Sequence, residues 1–223
     1  MTNDFRIPFT KIRITRFLFL LISMLLLFVV NPFLEGFVGI NLLMDIFFSA
    51  ILLSGIYAVS QKRGLVIIAL LIALPTLLFH WSYYAVRDPF ILLAGNIFGA
   101  LFMAYTAVVV LARLLRGREV TTDVIIASAC VYFLIGLMWG FVYSILETLQ
   151  PGSFLVAQGQ LDRLASFIYY SFVTLTTLGY GDIVPLSSPA RSLSALEAIV
   201  GQMYIAILIA RLVGIHTGKK IQE

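Results

Sequence analysis

Charge is scarce in this chain. Asp, Glu, Lys and Arg together make up 12 % of its 223 residues, histidine occurs twice and cysteine once. A lone cysteine excludes an intramolecular disulfide framework, and Cys130, in the middle of an apolar run, says nothing about redox compartment. No G-x-S-x-G nucleophile motif is present, and no cluster of His, Cys, Asp and Glu has metal-ligand spacing, so a membrane enzyme finds no support. The formal net charge of +4 is no signature of nucleic-acid binding; its distribution along the chain is what carries information.

What the sequence has instead is apolar length. Hydrophobic residues make up 61 % of it, and the mean hydropathy of +1.03 lies far outside the range of a soluble domain. Uncharged runs long enough to cross ~30 Å of hydrocarbon as helices cover 17–34, 64–86, 89–112 and 124–146. Two further runs, 36–61 and 192–210, are interrupted by one acid each, Asp45 and Glu197. These six candidates predict an all-α membrane protein. A basic stretch precedes the first run, but the run is too long for a signal peptide and the following NPFLEG offers no cleavage site, so it reads as a retained span. A seventh apolar segment, 164–176, would reach only about 20 Å as a helix and is read as re-entrant.

Orientation follows from the basic residues. With six spans and a re-entrant loop before the last, both termini face one side. That side collects Arg6, Lys11, Arg13, Arg16, Lys62, Arg63, Arg113, Arg116, Arg118, Arg211, Lys219 and Lys220, against Arg87, Arg163 and Arg191 opposite. The positive-inside rule predicts cytoplasmic termini in a multi-pass protein of the cell (plasma) membrane. The domain reading is a basic tail over 1–16, a four-helix membrane domain over 17–118, a pore domain over 119–215 and a short tail over 216–223. So short a tail leaves no room for a cytoplasmic ligand-binding domain in this chain.

Segment 147–191 then lies outside: a polar turret, LQPGSFLVAQGQ, the short helix, and the stretch TLTTLGYGDIVP over 174–185. Irregular backbone at membrane depth is tolerated only when buried in protein or lining a water-filled path. Gly179 and Gly181 take positive φ without steric cost, and alternating such residues with ordinary ones turns successive carbonyl oxygens the same way. Strands of this kind from several copies would stack rings of oxygens able to replace a cation's hydration shell. A helix over 164–176 with its C-terminal end toward the membrane interior would favour a cation there.

The run TLTTLGYGD, with Tyr169 and Tyr170 upstream and Pro185 after Asp182, resembles the pore loop of the tetrameric potassium channels, and the resemblance covers about 122–215. It implies a homotetramer in which carbonyls of Thr177, Leu178, Gly179 and Tyr180 coordinate K⁺, with Gly181 closing the filter outside. It further implies that Thr177 adds its hydroxyl to the innermost site. Thr176, Tyr169, Tyr170 and Asp182 are implied as filter support, Tyr170 bracing the filter tyrosine and Tyr169 reaching Asp182. Leu178 departs from the usual valine but keeps its carbonyl. Phenols stand where indoles are usual, and Val173 stands where some relatives carry a glutamate. No cofactor is implied; K⁺ is the permeating ion, and membrane lipids are the other partner.

In the last span, SLSALEAIVGQMYIAILIARLVG, Gly201 matches the family's hinge glycine, though a glycine also lets another helix pack close. Gln202, Ile205 and Ile209 match the stripe lining the cavity. Glu197, an acid inside a span, reads either as a protonated or hydrogen-bonded brace between inner and pore helices or as a proton sensor. Arg211 is expected to snorkel to lipid headgroups rather than face the permeating ion. The fourth span holds no arginine ladder, which speaks against voltage sensing; Asp45 lacks an evident arginine partner. Pro75 is expected to kink the third span, and His80 and Trp81 fit an interfacial position, His80 being also a possible pH sensor. The expectation is therefore a passive potassium channel. A nonselective cation channel is the rival, and a potassium transporter, which would carry four degenerate loops, is a remoter one.

Overall fold

The computed structural model describes residues 16–33, 40–60, 62–86, 88–117, 119–156 and 163–220. The expectations resting on residues 1–15, Arg87, Arg118 and the last three residues lie outside these, as do the side chains of Asp45, Arg163 and His216. Among the described residues, seven helices and one strand pair follow in the order α1 Arg16–Phe33, α2 Ile40–Val59, α3 Arg63–Val86, α4 Pro89–Arg116, α5 Thr122–Leu149, β1 Phe154–Val156, α6 Arg163–Leu175, β2 Ile183–Pro185 and α7 Ser188–Lys220.

Local chemistry sets the helix ends. Asp88 caps α4 by accepting the Phe90 N–H at 2.8 Å, with Pro89, which has no N–H to lose, at the first helical position. Thr121 caps α5 through the Val124 N–H. Gly117 closes α4 by donating its N–H to the Leu114 carbonyl. This last turn carries α4 past the apolar run to Arg113 and Arg116, beyond where hydropathy alone ends the span.

Among the described residues, four helices are long and apolar enough to cross a membrane: α4, α5, and most of α3 and α7. Apolar packing joins α1 to α2 and α5, α4 to both α3 and α5, and α6 to α5 and α7. One core runs through the first five helices, with Leu20, Ile51, Phe102, Met103, Cys130 and Leu134 fully enclosed. Sparse polar contacts fix the register inside it. Asn96 on α4 donates to Ser144 on α5 at 2.9 Å, Tyr105 reaches the Leu65 carbonyl, and Cys130 points its thiol at the Phe17 carbonyl. Helix α3 runs through Pro75 as one element, and His80 lies 5.0 Å from the Phe48 ring.

Helix α7 contrasts with the rest. It is continuous over 33 residues, yet only 6 % of its apolar window is buried within the chain. Leu196, Ile199, Met203, Ile207 and Val213 stand exposed along it.

Candidate functional site

Helix α6 and the glycine-bearing loop after it are seated by α5. Cβ atoms added at Gly136 and Gly140 would fall 2.6 Å from the Phe172 ring and 2.8 Å from Ile168 Cγ1, both on α6. Two bare positions one turn apart thus form a groove in which α6 lies almost on the α5 backbone. Above this seat an aromatic cluster of Trp139, Tyr143, Phe154, Phe167 and Tyr170 fills the space between α5, β1 and α6. Its edge-on contacts include Tyr143 with Tyr170 at 5.0 Å and Phe154 with Phe167 at 5.1 Å.

Helix α6 ends in a hydrogen-bonded cap. Leu178 donates its N–H to the Val173 carbonyl at 2.9 Å, and Thr177 donates to Thr174 at 2.9 Å, with Thr177 itself at φ 58°. This is the pairing of a Schellman cap with Thr177 at the left-handed position, unusual because a β-branched residue avoids positive φ. The left-handed pattern then recurs at every second residue, at Gly179 (φ 63°) and Gly181 (φ 79°). The sequence pointed to the two glycines; Thr177 it did not. Among the described residues, no donor reaches the carbonyl oxygens of Thr177, Leu178, Gly179 or Tyr180. These residues are exposed as well, Tyr180 by 68 %.

Both flanks of the loop are clamped. Strand β2 runs antiparallel to β1, Leu155 opposite Val184, and Leu186 donates to the Ser153 carbonyl at 2.8 Å. Glu147 at the end of α5 accepts the N–H groups of Gly152 and Phe154. Tyr169 donates its hydroxyl to Asp182 at 2.7 Å. Desolvation, and then that bond to Asp182, push the Tyr169 phenol up to about 12, so at neutral pH it remains a donor. The Tyr170 hydroxyl meets Ser194 of α7 at 2.7 Å, so within its own chain it ties α6 to α7. Thr176 turns its hydroxyl back to the Phe172 carbonyl.

Glu197 is fully buried. Tyr143 of α5 and Ser171 of α6 both bond its carboxyl, so three helices meet on one acid. Neither partner stands out in the sequence, where each is one polar residue inside an apolar run. Gln202, one turn below, brings Nε2 to 3.4 Å from the Thr177 hydroxyl and so joins α7 to the start of the loop. Ile205 and Ile209 are exposed on the same helix. Gly201 is buried beneath the end of α6. A Cβ there would stand 3.0 Å from Leu175 Cδ1 and well inside contact distance of the Leu175 carbonyl oxygen, which supplies a packing reason for glycine. Arg211 corrects the expectation of snorkelling to lipid. It donates to the carbonyls of Leu114 and Gly117 at 2.9 and 2.8 Å, satisfying the C-terminus of α4.

Residues 120–217 match the family model described as "Ion channel". A 63-residue stretch is 35 % identical to two pore potassium channel c of Oryza sativa subsp. japonica. That stretch is 28 % of this chain and 14 % of the relative, so the match spans a small part of the plant protein's length. No solved structure matches significantly. The membrane-length helices, the half-length helix between the last two of them and the glycine-bearing loop agree with that match: residues 120–217 of this membrane protein resemble an ion-channel module, and part of them resembles a stretch of a potassium channel.

Proposed function

We propose that the protein is a potassium-selective channel that conducts K⁺ passively as a homotetramer in the plasma membrane, with six spans, α6 re-entrant, and both termini cytoplasmic. The observation that carries this reading is the left-handed backbone at Thr177, Gly179 and Gly181, with carbonyls of Thr177–Tyr180 that no donor of the described chain reaches. Unpartnered carbonyls at membrane depth need a ligand, and four such strands around an axis offer cages of oxygen to a dehydrated cation. The apolar α7, uncovered in the single chain, has the surface an assembly of copies would use. Helices α1 and α2, of 18 and 20 residues, supply the other two spans.

Within this reading Thr177, Leu178, Gly179 and Tyr180 hold K⁺, and Thr177 adds its hydroxyl where Gln202 approaches. The Asp182–Tyr169 bond holds the outer end of the loop. Opening at the cytoplasmic mouth is assigned to bending of α7 near Gly201, with Ile205 and Ile209 lining the cavity. Voltage sensing is not part of the proposal, since α4 carries no basic residue before Arg113.

The test is a reversal potential measured on purified protein in planar bilayers under opposing potassium and sodium gradients. A reversal near the potassium equilibrium potential supports the proposal. A value near zero favours the nonselective cation channel, to which Leu178 and the phenols in place of indoles would point.

A further inference from the structure

The contacts around Glu197 over-determine where one proton must lie. Ser171 Oγ lies 2.7 Å from the Gly136 carbonyl oxygen and also within hydrogen-bond distance of Glu197 Oε1. Two oxygens so near repel unless a proton sits between them, and serine owns a single hydroxyl proton. A backbone carbonyl has none to give, so Ser171 donates to Gly136. The second contact then needs a proton from the other side.

The neighbouring hydroxyls are already committed. Ser194 donates to the Ala190 carbonyl at 2.8 Å, which leaves Tyr170 as the donor in its bond with Ser194. Tyr143 donates to Glu197 Oε2. No basic side chain bonds Glu197 among the described residues. Among the described residues, the titratable groups coupled to it are Tyr132 and Tyr143 on α5 and Tyr170 on α6, all phenols.

We propose that Glu197 is a neutral, proton-donating positioning residue whose Oε1–H completes a directed chain from Tyr143 through Glu197 and Ser171 to the Gly136 carbonyl, locking outer, pore and inner helices together. The assignment of this regulation rests on the channel reading above; the position of the proton does not. Ser171 lies on the helix whose C-terminus opens into the filter, three residues before Thr174, where the cap begins. Removing the proton turns Oε1 from donor to acceptor and leaves the single Ser171 proton to serve two acceptors, Oε1 and the Gly136 carbonyl, so one of the two contacts must open. The chain is therefore complete on the acid side of the transition and broken as pH rises through it. Conduction is lost in the same direction, because α6 is no longer held at its seat.

The experiment uses the full-length protein in lipid vesicles. Isotope-edited infrared spectra of wild type and Glu197→Gln are recorded from neutral to strongly alkaline pH, beside K⁺ flux across the same range. A protonated-carboxyl carbonyl band at neutral pH, absent in Glu197→Gln and replaced by carboxylate bands at alkaline pH, is the expected result. Glutamine keeps both a donor for Ser171 and an acceptor for Tyr143, so it retains flux at neutral pH and loses the alkaline decline. Glu197→Ala, which leaves both partners unmatched, lowers flux by about tenfold. Carboxylate bands at neutral pH overturn the proposal, as does an alkaline decline equal in wild type and Glu197→Gln. Absence of any K⁺ flux would sink the channel reading instead, while the infrared bands would still decide the proton.

Discussion

Replacing Gly201 by alanine separates two reasons for a glycine in the middle of α7. The added Cβ would meet Leu175 Cδ1 at 3.0 Å and press more closely on the Leu175 carbonyl oxygen. A rotamer change can relieve the first contact. The second is backbone, and it is held in place because the same oxygen accepts the Tyr132 hydroxyl at 3.3 Å. Overpacking of this kind costs about 1–3 kcal/mol per chain. Gly214 lies in the same helix and a Cβ there meets nothing within 4 Å, so Gly214→Ala serves as the matched control. It should be neutral or stabilise by about 0.4–1 kcal/mol through the unfolded chain. Thermal unfolding in detergent, followed by helical circular dichroism, should therefore place Gly201→Ala below wild type and Gly214→Ala at or above it. Adding Leu175→Ala to Gly201→Ala should recover little, since the carbonyl stays. If Gly201→Ala unfolds like Gly214→Ala while its open probability changes, close packing is refuted and the hinge alone explains the residue.

Three further outcomes are expected. Gly179→Ala puts a side chain at φ 63°, which costs about 1–2 kcal/mol of backbone strain in each copy; selective conduction should be lost, and unchanged permeability ratios would contradict the filter assignment. Arg211→Ala strips two carbonyls at the end of α4 of their charged donor, at about 1.5–3 kcal/mol for a fully buried bond and less at this part-buried site. Arg211→Lys should regain only part of the loss, because a point charge cannot serve both oxygens equally; an Arg211→Ala chain as stable as wild type would return Arg211 to the lipid. Conductance plotted against voltage should lack steep activation, and an effective gating charge of several units would refute the reading of α4.

Much of this architecture is legible in the sequence because hydropathy and backbone freedom speak directly. Uncharged runs mark the helices, and the two glycines of LGYGD mark where left-handed backbone is possible. Thr177 is the counter-example: its positive φ comes from the hydrogen bonds of the α6 cap, which override a β-branched side chain's preference. The β1–β2 pair escapes notice because three-residue strands leave no periodicity to read. Glu197 is conspicuous as an acid in a span, but its partners Tyr143 and Ser171 are not, since only the packing of α5 against α6 brings them to one carboxyl. Arg211 shows the same gap. A basic residue near a helix end can serve lipid headgroups or another helix's carbonyls, and the choice depends on where α4 stops.

The most direct test of the central claim is a density map of the full-length protein purified in potassium. The account predicts four chains about one axis, with ion density on that axis between rings of the Thr177, Leu178, Gly179 and Tyr180 carbonyl oxygens. A monomer, or an assembly whose carbonyls turn away from the axis and leave it without ions, would contradict it.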